Sequence, residues 1–290
     1  MPARNINVDP LFQKFSNARL NVKKYTVIYF LLMFCVSTSP SETVIAEQSS
    51  TQKTYPDLTI FTEYFPPFNY EEDGQVKGIA VDLLHAIFKQ MKLDIPATKV
   101  VQVPWSRGYS EAQTRPNVLL FSTVRTAERE KMFKWAGPIL DSDLVLIAYK
   151  GKEVRFEPTR KDKPQTYAVS HQDVFELELM RLGVSHDNIY HWNSLKTAPL
   201  LLARNRVDLW GFDRTAAFFA FRQLGLDPKN FNVSHQLMST PYYYSFSLQT
   251  DDQFIADFQL ALDALSQSGK RQRIIDQYLS GMDTEFPTKK

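Results

Sequence analysis

Beyond residue 55 the chain alternates between short apolar runs and stretches whose apolar positions recur every three or four residues. Residues 58–62 (LTIFT) form one such run, the length of a buried strand. In residues 78–92, Val81, Leu84, Ile87, Phe88 and Met91 fall on one helical face. Residues 99–103 alternate as a second strand, 107–113 fit a short helix, and 118–121 (VLLF) make a third strand. A second series follows, with strands predicted at 144–149 (LVLIAY), 166–169, 189–192 and 207–212 (VDLWGF). Helices are predicted between them at 173–182, 194–203 and 215–224, with Gly183 and Gly225 stopping the first and the last. Residues 242–248 are extended. Phe254, Phe258, Leu262 and Leu265 then stripe one helix, and Ile274, Ile275 and Tyr278 a shorter one. Alternating strands and helices imply βαβ units and a mostly parallel sheet. The fold class expected is therefore α/β, with two lobes.

The N-terminal region changes the reading of charge. Lys23 and Lys24 precede an apolar run of 12 residues at 25–36 (YTVIYFLLMFCV), followed by small and polar residues and Val44-Ile45-Ala46. That order is the order of a secretory leader. The run is short of the ~20 apolar residues a membrane-spanning helix needs, although an uncleaved anchor is the alternative. The whole chain carries a formal charge of +2. Cleavage after Ala46 removes Arg4, Lys14, Arg19, Lys23, Lys24, Asp9 and Glu42, leaving 29 basic and 30 acidic residues, a net −1. No basic stripe remains to favour nucleic acid. The single cysteine, Cys35, lies inside the apolar run, so the mature chain has no thiol.

Open α/β sheets bind ligands beyond the C-terminal ends of their strands, so the candidate chemistry lies in the loops there. Glu63-Tyr64-Phe65-Pro66-Pro67-Phe68 follows the first strand, and the prolines stiffen it. Pro104 and Trp105 follow the second, and the segment from Ser122 to Glu130, with Arg125, Thr126 and Arg129, follows the third. Ser170-His171-Gln172-Asp173 leads into a helix, and Asp213 ends the strand at 207–212. Aromatic faces, arginines, hydroxyls and a carboxylate together suit a small molecule that carries both charges and some apolar bulk.

These pieces resemble the family 3 extracellular solute-binding proteins, the polar amino acid receptors of ABC importers, over about residues 58–278. Phe65-Pro66-Pro67-Phe68 with Gly78-x-x-x-Asp82-Leu83 matches the family's opening pattern. Thr126-x-x-Arg129-x-x-x-Phe133, Val207-Asp208 with Asp213, and Gly269 with Ile274 and Tyr278 match three later elements in order. The resemblance implies a type II periplasmic-binding-protein fold in three parts. Residues 1–46 are a leader, 51–140 with 246–285 a discontinuous first lobe, and 141–245 a second lobe, with crossings near 138–143 and 240–246. It implies that Arg129 grips an α-carboxylate, with Thr126 beside it. Asp213 would pair the ammonium group, and Ser122 would offer it a backbone carbonyl. Phe65 and Trp105 would flank the ligand. Ser170, His171 and Gln172 would supply backbone N–H groups to the carboxylate, although the family's usual glycine is missing there.

The residues themselves leave other roles open. Arg129 could pair with Glu128 or Glu130 on a helix surface, Thr126 and Asp213 could cap helices, and Asp208 and Phe68 read as structural. Histidines at 85, 171, 186, 191 and 235 fit no metal-ligand spacing, and no nucleotide-binding or nucleophile motif is present. No cofactor or metal site is therefore expected, and the protein is not expected to be an enzyme. A sensory binding protein and a dehydratase-like enzyme of small carboxylates are the alternatives. The resemblance implies a periplasmic monomer that closes on its solute and meets a membrane permease. N-terminal sequencing of the exported protein is expected to begin at Glu47; a full-length chain held in the membrane would mark the anchor instead.

Overall fold

The computed structural model describes residues 55–93, 99–151, 154–192 and 194–280, and the predicted leader lies outside them. The apolar run after Pro56 becomes β1 (Thr59–Thr62). A polar hairpin, β2 (Tyr70–Glu72) and β3 (Gln75–Lys77), then leads into α1 (Ile79–Gln90). This helix buries Val81, Leu84, Ile87 and Phe88. β4 (Val100–Gln102), α2 (Trp105–Thr114) and β5 (Val118–Val124) follow. β4 and β5 flank β1 in parallel register, as the βαβ reading requires.

After β6 (Lys134–Ala136) the chain enters β7 (Asp141–Tyr149). The second series then runs β8 (Tyr167–Ser170), α3 (Val174–Arg181), β9 (Ile189–Trp192), α4 (Thr197–Ala203), β10 (Leu209–Asp213) and α5 (Arg214–Gln223). β8 pairs in parallel with both β9 and β10. Aspartates cap α3 and α5, Asp173 accepting from the Val174 amide and Asp213 from the Ala216 amide.

The largest departure from the sequence reading is β11 (Phe231–Phe246), 16 residues long. The sequence predicts extension only from 242. The earlier part mixes polar residues with Pro241 and keeps much of its surface exposed, so no run of apolar residues marks it. β11 pairs antiparallel with β7 through residues 231–241 and with β5 through residues 242–246. One strand thus belongs to both sheets, and the strand order is β4-β1-β5-β11-β7-β10-β8-β9. The parallel pairing holds within each βα series. The antiparallel pairs all involve β7 or β11, apart from the small hairpin.

α6 (Asp252–Gln267) and α7 (Lys270–Leu279) return to pack on α1. Phe88 meets Phe258 edge-on at 5.9 Å, and the Tyr278 hydroxyl donates to Asp82 Oδ2 at 2.6 Å. The Tyr244 hydroxyl donates to Ala80 O at 2.8 Å, tying β11 to the same helix. In the other sheet Trp210 is fully buried and stacks on Phe212 at 4.8 Å.

Gly78 sets where α1 begins. Its φ of 125° lies where side chains are strained, and an added Cβ would stand 2.5 Å from Phe68 O and 2.8 Å from Pro67 O. Those two carbonyls accept the first helix amides, Ala80 N at 2.8 Å and Ile79 N at 3.1 Å. The glycine therefore lets the helix start clasp the loop that carries Phe65. Gly78→Ala is expected to cost about 2–4 kcal/mol of stability. Gly74→Ala, where nothing lies within 4 Å of the new methyl group, should cost only the left-handed backbone strain, about 1–2 kcal/mol. Urea denaturation of both variants measures the difference.

Candidate functional site

The strand ends of both sheets converge on one small, largely enclosed cavity. The loop after β1 contributes Glu63 and Phe65, the start of α2 Trp105, and β5 Ser122 and Val124. From the other sheet come Ser170, Asp173, Trp192, Phe212 and Asp213, with Leu144 and Tyr242 from the two crossing strands. Phe65 packs edge-on against both Phe212 (5.3 Å) and Tyr242 (5.6 Å), so aromatic rings from the two halves already touch. The Trp105 indole donates across the same gap to Gln172 O at 3.1 Å. Ser122 sits at φ 60°, beside the register shift between Tyr243 and Tyr244. A left-handed residue and a bulge in a buried ladder mark a place where the strand is re-aimed at a site.

Arg129 lines this cavity at 1% exposure. Its guanidinium donates to Val124 O at 3.2 Å and weakly to Gln172 O at 3.5 Å. It lies over the rings of Trp105 (5.4 Å) and Tyr109 (5.1 Å). Its Nε has no partner among the described residues, and neither does Trp192 Nε1. A buried cation held by carbonyls and ring faces, with an N–H to spare, is suited to receive a carboxylate. The alternative pairing with Glu130 is excluded, because Arg125 takes that carboxylate in a two-pronged bond of 2.6 and 2.7 Å at the surface. Arg125 is thereby held outside the cavity.

Thr126 does not line the cavity. Residues 127–132 form a turn and not the helix expected there, and the Thr126 hydroxyl accepts the Arg129 amide at 3.3 Å. Its role is to shape the turn that delivers the arginine.

Asp213 is 1% exposed and serves two ends at once. Oδ1 caps α5 through the Ala216 amide at 2.8 Å, while Oδ2 accepts from the Ser142 hydroxyl and, at 3.4 Å, from Tyr242. Burial raises its carboxyl from 3.8 to about 6 against the pull of those donors. Asp208 is structural, accepting the Thr166 amide at 3.0 Å and its hydroxyl at 2.9 Å.

Two further carboxylates stand in the cavity that the motif reading passed over. Glu63 is half-buried where the enclosed cavity meets an open cleft lined by Tyr64, Gln102 and His171. Burial raises its carboxyl from 4.5 to about 8; Asp173 adds to the rise and Arg129 opposes it. Burial likewise raises Asp173 from 3.8 to about 6, against the pull of Arg129 and the Val174 amide. A charged residue directly after an apolar strand, flanked by aromatics, is the sequence feature that could have drawn attention to Glu63.

The turn at 170–173 corrects another expectation. Its amides were to serve a bound carboxylate. The Gln172 amide instead donates to Glu176 Oε2 at 2.7 Å, and the first helix amide goes to Asp173. The His171 and Gln172 side chains are exposed and do not line the enclosed cavity. What the turn offers inward is the Asp173 carboxylate and the Gln172 carbonyl, both attractive to a cation. The cavity thus holds three carboxylates, Glu63, Asp173 and Asp213, around one guanidinium.

A family model described as bacterial extracellular solute-binding proteins, family 3, matches residues 58–281. The arginine-binding periplasmic protein of Mannheimia haemolytica is 23% identical over 263 residues, covering 87% of this chain and 97% of that protein. Among solved structures, an ancestral arginine-binding protein bound to arginine is 19% identical with a TM-score of 0.66, covering 77% of this chain and 98% of its own. The arginine-, lysine-, histidine-binding protein ArtJ of Geobacillus stearothermophilus is 21% identical with a TM-score of 0.63, covering 77% and 95%.

The three raised carboxyls set a pH dependence with a definite sign. Each binds its proton more tightly in the folded state than in the unfolded one, where values near 4.5 and 3.8 apply. The native state therefore holds more protons between about pH 4 and 8, and stability falls as pH rises through that window. The limb between about 6 and 8 belongs to Glu63. The ligand-free protein is expected to lose several kcal/mol from pH 5 to 8, and Glu63→Gln should flatten the upper limb. Urea denaturation at several pH values checks both.

Proposed function

The chain belongs to the bacterial extracellular solute-binding proteins, family 3, and within that family we propose that its solute is a cationic amino acid or a close relative. The family binds solutes and is not one of enzymes. The observation that carries the finer reading is the imbalance of charge in one cavity, three carboxylates against a single arginine. A neutral zwitterion answers Arg129 with its carboxylate and one acid with its ammonium group, leaving two acids unanswered. An amino acid with a second positive group answers one more. The third is then held protonated or bonded to its capping amides, as the raised carboxyls allow. The arginine-binding relatives support this reading.

In this scheme Arg129 takes the α-carboxylate, Asp213 the α-ammonium, and Glu63 with Asp173 the side-chain cation, while Phe65 and Trp105 enclose the aliphatic stem. Ser122 lies beside the ammonium site. The two lobes are taken as residues 51–140 with 246–285, and 141–245. They close by bending where β7 and β11 run side by side, and the ligand favours the closed state through contacts made to both lobes. The closed form is then delivered in the periplasm, by a monomer, to the membrane permease of an ABC importer.

Calorimetric titration of the protein with arginine, lysine, glutamine and glutamate tests the reading. Arginine or lysine should bind at least ~10-fold tighter than glutamine, a difference of about 1.4 kcal/mol. Binding at pH 7 should release protons, seen as a dependence of the heat on the buffer, because a cation beside Glu63 expels its proton. Glu63→Gln should reduce both effects. Arg129→Ala should cost about 2–5 kcal/mol of affinity and abolish the preference for arginine over its decarboxylated amine. Glutamine or glutamate binding as tightly as arginine would overturn the proposal.

A further inference from the structure

We propose a second site on this protein, a transition-metal site formed by His171, Glu176 and His191 at the outer rim of the ligand cleft. Their chain positions hide it. His171 lies in the turn after β8, Glu176 in the first turn of α3, and His191 in β9. Folding brings one ligand atom of each within 4.8 Å of the others. His191 Nε2 is 2.8 Å from Glu176 Oε1, and His171 Nδ1 is 3.8 Å from Oε2. His186, in the short turn before β9, stands at the edge with Nε2 4.0 Å from Oε1. No metal was expected from the sequence, because none of these separations matches a linear ligand motif.

Four features make the cluster a site and not a chance meeting of polar groups. The Glu176 side chain is only 10% exposed. A carboxylate withdrawn so far from water needs polar or charged partners, and those around it are three imidazoles and the Gln172 amide. Imidazole with one carboxylate is the donor set that zinc, copper and nickel prefer. Ligand atoms 2.0–2.1 Å from a tetrahedral zinc lie about 3.3 Å apart; here one carboxylate oxygen lies 2.8 Å from His191 and the other 3.8 Å from His171, and the three ligand atoms fall within 4.8 Å of one another. His171, 58% exposed, is free to close the remaining distance. The Gln172 amide donates to Glu176 Oε2 and fixes the orientation of the carboxylate, as hydrogen bonds to ligating carboxylates do. His186 or water completes the shell. The site does not depend on which solute the cleft takes.

The test uses the full chain prepared without a polyhistidine tag, stripped with chelator and titrated with zinc or nickel by calorimetry. One equivalent should bind with micromolar or tighter affinity, whereas magnesium should not bind. His171→Ala and His191→Ala should each weaken binding ~10-fold or more, while His85→Ala and His235→Ala leave it unchanged. X-ray absorption on the zinc form should report imidazole nitrogens at about 2.0–2.1 Å. Because His171 is exposed, its variant keeps the test decisive even if the change at His191 perturbs β9. Zinc uptake that is absent, or equal in the wild type and the His171→Ala/His191→Ala double variant, would overturn the proposal.

Discussion

A guanidinium taken out of water needs opposite charge or dipoles to replace its hydration, and in this protein Arg129 is answered from both halves at once. Its bonds are to two carbonyls, one from its own strand end and one from the turn beyond β8. The opposite charge that acts on it through space comes from Asp173 at α3, while Glu63 after β1 stands in the same field with its proton held tightly. Neither sheet alone supplies a balanced environment. The aromatic packing of Phe65 on Phe212 and the indole bond from Trp105 to Gln172 close the same gap. The arginine is therefore the centre on which the arrangement of the two sheets turns.

The balance is also deliberately incomplete in charge. Three carboxylates share the cavity, and each holds its proton more tightly than it would in water. A ligand that brings cations can displace those protons, and one that brings a carboxylate can meet the free Nε of Arg129. The same residues thus answer one another across the cavity and can answer a charged molecule that enters it.

Much of the fold was legible in the sequence because strands buried on both faces read as continuous apolar runs. LTIFT, VLLF and LVLIAY each mark a strand within a few residues of its bounds. The long strand β11 was only half legible, since its first part is a partly exposed ladder without apolar periodicity. The lining of the cavity was legible where a motif fixed both residue and position, as for Arg129, Asp213, Phe65 and Trp105. Its polarity was not. Whether the turn at 170–173 offers amides or a carboxylate depends on Glu176, four residues further on, taking the Gln172 amide. The histidine cluster was invisible for a similar reason, since its members meet only when β8, α3 and β9 are assembled.

The return of α6 and α7 onto α1 has a consequence for how the molecule is made. The first sheet's core includes Phe258, and the bond between Tyr278 and Asp82 spans 196 residues. Contacts at such separation close late, because the intervening chain must first be gathered in. A nascent polypeptide that has emerged only as far as β10 holds strands β1, β4 and β5 without the strand and helices that cover them. It cannot lock into its final form before nearly all of it has been synthesised. That delay is set by the topology of the sheet and not by the strength of any single contact.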